Sequence, residues 1–287
     1  MSNRKSKSNI LKHRKKPKKR RFFQKFFLWL FVLGFLVAIL GAVAGVGVYF
    51  YISKDLPHIN SLTEYHPSII TNVYSDDGRK IAEFFKERRI IKPLNEMPAA
   101  LINAFIAAED ARFYKHKGID FYSIVRAFFK NLEAGTIVQG GSTITQQVTK
   151  SFLLTPERSY TRKLKEAILA YRIDKAFNKD EILYLYLNQI YLGHGAYGVE
   201  AAAENYFGKT AKDLNLAECA ILAGLPQAPS KYSPFKHPER AKQRQIYTLN
   251  RMVDEGYISN IQATEAINTV VEIKPRRNWY IEEIPYY

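Results

Sequence analysis

Cysteine, methionine and tryptophan are scarce in this sequence, and its opening stretch has no acidic residue at all. Cys219 is the single cysteine, which excludes an internal disulfide and a cysteine-rich zinc site. It lies in an Ala/Leu-rich stretch and reads as a buried small hydrophobe. The six histidines stand at no metal-ligand spacing. No repeat of fixed period is present. Residues 1–25 hold no Asp or Glu, and no charged residue occurs between Phe26 and Tyr51. The first of these absences changes the meaning of the formal charge of +16. Twelve of the 43 Lys and Arg fall in the first 25 residues, leaving 31 bases against 27 acids elsewhere. The basic excess is a terminal tail, so no nucleic-acid partner is expected.

The uncharged run is 26 residues long. As a helix it would measure about 39 Å, enough to cross a hydrocarbon core of roughly 30 Å with some tilt. Trp29 at one end and Tyr49 and Tyr51 at the other suit interfacial anchoring. Ala42-Val43-Ala44 has the form of a signal-peptide cleavage site, but the apolar run is too long for a signal core and continues past it. We therefore expect an uncleaved anchor in the cytoplasmic (inner) membrane, crossing once. The cations before the span orient the N-terminus inside and residues 52–287 outside. Gly41 and Gly45 form a G-x-x-x-G, a spacing too common in membrane helices to assign dimerisation.

After the span, Ile69–Tyr74 and Lys80–Phe85 flank Ser75-Asp76-Asp77-Gly78, which predicts a β-hairpin. From Pro98 onward helical periodicity dominates, predicting helices near 98–110, 120–134, 143–154, 160–177, 179–191, 198–207, 213–224, 237–255 and 259–268. Gly135, Gly193, Gly208, Gly224 and Gly256 follow these runs as stops. The expected organisation is a basic cytoplasmic tail (1–25), a transmembrane helix (26–51), a linker with hairpin (52–97), a mainly α catalytic domain (98–270) and the start of a linker (271–287). The β-prone residues 279–287 read as a chain stopped where a further element would begin.

Three clusters could carry chemistry. Glu109 falls on the apolar stripe of Leu101, Ile102, Phe105 and Ile106, and near its helix's C-terminus. Burial and the helix dipole would both raise its pKa, as a general base working near neutrality requires. The other reading is a frayed helix end with Glu109 in water, and spacing alone does not choose. In Gly140-Gly141-Ser142-Thr143-Ile144-Thr145-Gln146-Gln147, Thr143 and Gln146 fit a capping box. The glycines equally allow backbone amides to approach an anion. Thr143, Gln147 and Lys150 share a polar face that capping alone does not explain. In the third cluster Arg158, Arg162, Lys163 and Lys165 surround Glu166. A solvated helix would use an Arg162–Glu166 pair. Leu169 and Ile173 on the Glu166 side, with Leu164 and Tyr171 opposite, instead place the pair at a groove where the cations suit a pyrophosphate. Ser233-Pro234-Phe235-Lys236 and Gly208-Lys209-Thr210 mimic a penicillin-binding S-x-x-K and a P-loop end, but each lacks the rest of its motif.

Together these segments resemble the glycosyltransferase domain of peptidoglycan polymerases, the family of class A penicillin-binding proteins and monofunctional transglycosylases. The first motif reads Glu109-Asp110-Ala111-Arg112-Phe113-Tyr114-Lys115-His116-Lys117-Gly118. The second is Gly140 to Gln147 and the third Arg162-Lys163-Leu164-Lys165-Glu166. The fourth runs from Tyr186-Leu187-Asn188 to Tyr206-Phe207-Gly208, and the fifth from Leu222-Ala223-Gly224-Leu225-Pro226 to Tyr232-Ser233-Pro234. The resemblance implies a lysozyme-like helical head with a smaller membrane-proximal jaw. It implies polymerisation of lipid II into β-1,4 glycan, with inversion and loss of undecaprenyl pyrophosphate. Glu109 would be the base and Asp110 its support. Ser142, Thr143, Gln146, Gln147, Lys150, Arg158, Arg162 and Lys163 would bind substrate. Glu166 would position the phosphates, with Mg²⁺ or Mn²⁺ as an optional rather than obligatory bridge. Phe113, His116 and Gly118 could equally be structural, a role we favour for Gly118. The expected partners are lipid II, the growing lipid-linked glycan, the cytoplasmic membrane and other cell-wall synthesis proteins. The rivals are a lytic transglycosylase or muramidase, which needs no cationic cluster, and an inactive membrane-tethered scaffold.

Overall fold

The computed structural model describes residues 18–57, 59, 71–84, 87–136, 140–154 and 159–274. The chain divides into two compact units, at Asp55 and Leu56. The first holds α1 (Lys18–Ser53), 36 residues long. Its stretch Phe23–Ser53 has a mean hydropathy of 2.7, with no part of its most apolar window buried. Trp29, Phe31 and Leu40 stand exposed on it. A helix apolar on every side and unburied by protein needs another apolar medium, and α1 is long enough to cross a membrane once.

The second unit starts with the predicted hairpin. Strands β1 (Thr71–Tyr74) and β2 (Lys80–Phe84) pair antiparallel. Gly78 turns the chain at φ +81°, donating its N–H to the Ser75 carbonyl at 3.0 Å. The outer residues of the expected hairpin, 69, 70 and 85, lie outside the described residues. A second, three-stranded sheet was not foreseen. It has the order β3 (Arg88–Arg89), β5 (Ala196–Tyr197), β4 (Tyr191–Gly193). Gly193 sits inside β4 rather than ending a helix.

Helices follow where periodicity places them: α2 (Ala99–Glu109), α3 (Phe121–Ala134), α4 (Ile144–Leu153), α5 (Tyr160–Ala176), α6 (Lys179–Gln189), α7 (Val199–Phe207), α8 (Leu216–Gly224), α9 (Pro238–Asp254) and α10 (Asn260–Asn268). Capping boxes start α4, α6, α8 and α10, at Thr143/Gln146, Asn178/Glu181, Asn215/Glu218 and Ser259/Gln262. Gly135 and Gly208 end α3 and α7 in the left-handed conformation. The core centres on α2, whose Leu101, Phe105 and Ile106 are fully buried. It packs against α8 and α9, while α4 packs against α5 and α6. Every residue of α8 from Ala217 to Gly224 is buried. Its small side chains (Ala217, Cys219, Ala220, Ala223, Gly224) let the helices around it approach closely. Cys219 is the expected inert hydrophobe, its thiol pushed up to about 12 by burial.

Gly118 shows how tightly the site's surroundings are built. Its φ is +80°, and a Cβ there would stand 2.3 Å from the Ala170 carbonyl oxygen of α5. Gly135 has a similar φ of +62° but open space around it. Gly118→Ala should therefore destabilise by about 2 kcal/mol or more, and Gly135→Ala by only about 1 kcal/mol, the cost of the left-handed backbone. Equal losses in chemical denaturation would show that the contact with α5 carries no weight.

Candidate active site

The last residue of α2 is Glu109 and its C-cap is Asp110. Asp110 is buried and accepts the backbone N–H of Ile144, the first residue of α4, at 3.0 Å. Its carboxylate also meets His116 Nε2 at 3.0 Å. The end of α2 is thereby fastened to the start of α4 by a carboxylate at a helix N-terminus, where negative charge is favoured. This clamp brings Gln147 onto Glu109, with Gln147 Nε2 donating to Glu109 Oε2 at 2.8 Å.

Glu109 is held inward, as the stripe reading requires, and the frayed-helix reading falls away. Its side chain is only 12% exposed. Burial raises its pKa, against the lowering effects of the Gln147 hydrogen bond and the Arg244 charge, while Asp110 raises it further. Arg244 Nη2 stands 4.0 Å from Glu109 Oε1, too far for a direct hydrogen bond. Behind the two carboxylates, Tyr186 is packed edge-on against Phe105. Burial, then the charges of Glu109 and Asp110, push its phenol well above its ordinary range.

Glu109 faces a cleft also lined by Gly140, Gly141, Ser142, Gln147 and Arg244. At its rim lies the third cluster. Glu166 is buried and pairs with Arg162 through one oxygen and with Lys163 Nζ, at 2.8 Å, through the other. Lys163 Nζ also donates to Ser142 Oγ at 2.8 Å, tying the cluster to the cleft wall. Burial, then Arg162 and Lys150, hold the Lys163 ammonium below its ordinary pKa. Lys150 is exposed. The wheel reading of α5 holds: Leu169 and Ile173 are buried on the Glu166 side, and Leu164 and Tyr171 are about half exposed opposite.

Two residues expected to touch substrate also hold the start of α4. Thr143 and Gln146 are buried. Thr143 Oγ1 donates to the Gly118 carbonyl at 2.6 Å and accepts from Gln146 N–H at 3.1 Å, while Gln146 Oε1 accepts from Thr143 N–H at 3.0 Å. The capping box thus uses the Thr143 hydroxyl and the Gln146 amide oxygen, while Ser142, Thr143 and Gln147 line the cleft. Arg158 lies outside the described residues. Glu166 does not fit the optional metal role, because each of its oxygens already meets a cation. Among the described residues no three His, Cys, Asp or Glu side chains cluster as metal ligands. The Ser233 decoy is fully buried, its Oγ 2.7 Å from His194 Nε2.

Arg126, Arg244, Tyr247 and Arg251 also line the cleft and were not singled out from the sequence. Arg244 is fixed by three contacts. Its Nε donates to the Gly224 carbonyl at 3.2 Å, and its guanidinium lies 4.2 Å from the Tyr247 ring centroid and 5.7 Å from that of Tyr232. The one available signal was spacing: Arg244 lies three residues after Ala241 and four before Thr248, both buried.

Because burial raises the Glu109 pKa, the native state binds its proton more readily than the unfolded chain does. Its charge costs nothing below the unfolded value near 4.5 and costs most above the raised native value. Glu109→Gln should therefore melt at a higher temperature than the parent at pH 7, and the gain should vanish as the pH falls towards 4. A pH-independent difference in calorimetry would contradict a buried, desolvated carboxylate.

Residues 77–253 match the family described as Transglycosylase. The chain is similar to penicillin-binding protein 1A of Rickettsia bellii, with 45% identity over 257 residues, 88% of this chain and 32% of that protein. It is 47% identical over 249 residues to penicillin-binding protein 1A of Aquifex aeolicus (86% and 34% covered) and 50% identical over 212 residues to that of Neisseria flavescens (74% and 27% covered). It therefore spans about a third of the length of these relatives. The solved structure of penicillin-binding protein 1A from Haemophilus influenzae aligns at a TM-score of 0.45 and 30% identity, covering 74% of this chain and 22% of that one. The family match covers more than half of the sequence and includes the Glu109 cleft and the Glu166 cluster: this chain belongs to the transglycosylase family.

Proposed function

We propose that the chain is a peptidoglycan glycosyltransferase that polymerises lipid II into β-1,4 glycan at the outer face of the cytoplasmic membrane. The observation that carries this reading is Glu109: a desolvated carboxylate of raised pKa, oriented by Gln147, in a cleft walled by cations. In the proposed step Glu109 takes the proton of the acceptor's 4-hydroxyl. The oxygen forms a bond to the donor's anomeric carbon from the face opposite the leaving group, and the bond to undecaprenyl pyrophosphate breaks, which inverts the configuration. Arg162 and Lys163 receive the pyrophosphate charge as it develops, and Glu166 fixes both cations. No step passes through a metal ion.

Two substrates that each carry a phosphate-bearing lipid explain why the cleft needs cations beyond the Glu166 cluster. Arg126, Arg244 and Arg251 supply them. A muramidase cutting a finished glycan has no phosphate to hold, so the cationic walls favour the polymerase. The outward side of α3 suits a lipid-linked substrate. Phe121, Val125, Phe128, Phe129 and Leu132 are each more than half exposed there, an apolar face fit for the membrane interface.

Purified full-length protein given labelled lipid II in detergent should release glycan polymer, and given purified sacculi should release nothing. The reverse pattern would establish the lytic reading. Glu109→Gln should bind lipid II but lose about 10²–10⁴-fold in turnover. Binding without polymer in the parent protein itself would mark a scaffold. Arg162→Ala should raise the donor requirement by about tenfold or more, the cost of a lost charge-assisted contact.

Arg244→Gln tests the cation beside the base. Its charge lowers the Glu109 pKa, so its removal should shift the acidic limb of the kcat/KM profile to higher pH. An unshifted limb would confine Arg244 to substrate contact.

A further inference from the structure

A second pocket, of about 430 Å³, lies between the first-motif loop, the start of α3 and α5, and shares Asp120 with the Glu109 cleft. His116 lines it, and although His116 is nine-tenths buried its Nδ1 has no hydrogen-bond partner. The other ring nitrogen is committed to Asp110, so the ring cannot turn to satisfy Nδ1 without breaking the clamp. That nitrogen is closed to solvent, so a ligand in the pocket is met by the rest of the lining.

The accessible part of the lining sets the charge of such a ligand. Arg112 stacks over the Tyr122 ring at 4.5 Å and uses Nε on Asp120, 3.3 Å away. Its terminal nitrogens form no hydrogen bond among the described residues. Lys117 is exposed at the rim, with no ion pair among the described residues. Asp120, the one acid in the lining, is already met by Arg112 and by the N–H and hydroxyl of Ser123. The polar end of the pocket therefore presents two cations. Tyr171, Ile119 and the α3 residues Phe121 and Tyr122 form the rest, and Phe121 begins the exposed apolar face of α3. A ligand matching both parts has an anionic head and an apolar body.

We infer that this pocket binds one anionic phospholipid, its phosphate held by Arg112 and Lys117 and its acyl chains laid along the apolar face of α3. The site would fix α3 on the bilayer through a specific headgroup rather than through apolar burial alone, and it stands whether or not the chain polymerises lipid II. A cationic contact to an anionic lipid surface typically contributes enough to change affinity severalfold per residue.

The test is native mass spectrometry of the full chain in detergent, titrated with phosphatidylglycerol and, separately, with phosphatidylcholine. Because the basic tail also attracts anionic lipid, the readout is the difference between the parent and Lys117→Glu, a rim substitution that should leave the fold intact, as its melting temperature will show. Tyr171→Ala, which removes the apolar wall and no charge, is the second variant. One saturable phosphatidylglycerol site, roughly tenfold weaker in Lys117→Glu, weaker also in Tyr171→Ala, and absent for phosphatidylcholine, is the expected result. Unchanged phosphatidylglycerol binding in both variants would overturn the site and leave the tail as the only anion binder. Equal protection by inorganic phosphate would replace the lipid with a free anion. Displacement of phosphatidylglycerol by undecaprenyl phosphate at far lower concentration would return the pocket to the substrate's own lipid.

Discussion

The carboxylate of Asp110 is the constraint on which the rest of the site depends. It is buried, and it joins the C-cap of α2 to the first amide of α4 and to His116. Each contact satisfies a group that would otherwise be stranded: an orphan donor at a helix start, a buried imidazole N–H, and the carboxylate itself. Substituting any partner leaves the others unpaired in a dry interior. The consequence for function is positional. Glu109 adjoins Asp110 in the chain, Gln147 lies one turn into α4, and the clamp sets the 2.8 Å hydrogen bond between them. The capping box of Thr143 and Gln146 braces the same junction, because Thr143 also bonds the Gly118 carbonyl. The loop that carries His116 is in turn pressed so closely on α5 that only glycine fits at residue 118.

Around this clamp, two acids are treated in opposite ways. Glu166 is buried with a cation at each oxygen. Glu109 is buried with one neutral amide in contact and one arginine at 4.0 Å. A compensated carboxylate is a poor proton acceptor but a good anchor for cations. An under-compensated one holds a proton more readily than an exposed carboxylate does. In the proposed reaction, the division of labour between base and phosphate holder follows from who surrounds each acid. The cost of keeping Glu109 this way is borne by the dense packing of α2 on α8 and α9.

Most of the helical framework was legible because apolar periodicity, capping pairs and glycine stops agreed along the chain. The β3–β5–β4 sheet was not, since strands of two or three residues carry no alternation and exist through tertiary pairing. Arg88 and Arg89 are an example. As a pair of cations they read as surface, yet both are buried, Arg88 against Glu204 and Arg89 against Glu87. At the site, Glu109 was legible because a carboxylate on an apolar stripe violates a local rule. Thr143 and Gln146 were legible as a capping box, which the structure shows at the start of α4. Arg244 obeyed every local rule of a helix flank. Its place beside Glu109 comes from the packing of α9 on α2, which no window of sequence contains.

The same logic separates the two sides of α3. A helix whose apolar residues faced the core would be ordinary, but here Ala127 is its one buried hydrophobe and the large side chains point away from the protein. Tertiary packing therefore contributes little to holding those side chains. The helix is instead fixed at its start, where Asp120 caps it through the Ser123 N–H and hydroxyl and Arg112 spans Asp120 and Tyr122. Arg112 belongs to the loop that the Asp110 clamp holds through His116. The orientation of the apolar face is thus set by the junction that sets the base, and a shift in one must be felt in the other. For the lipid-linked substrates proposed above that coupling matters, because the height of the cleft above a lipid surface decides which substrate atoms can reach Glu109.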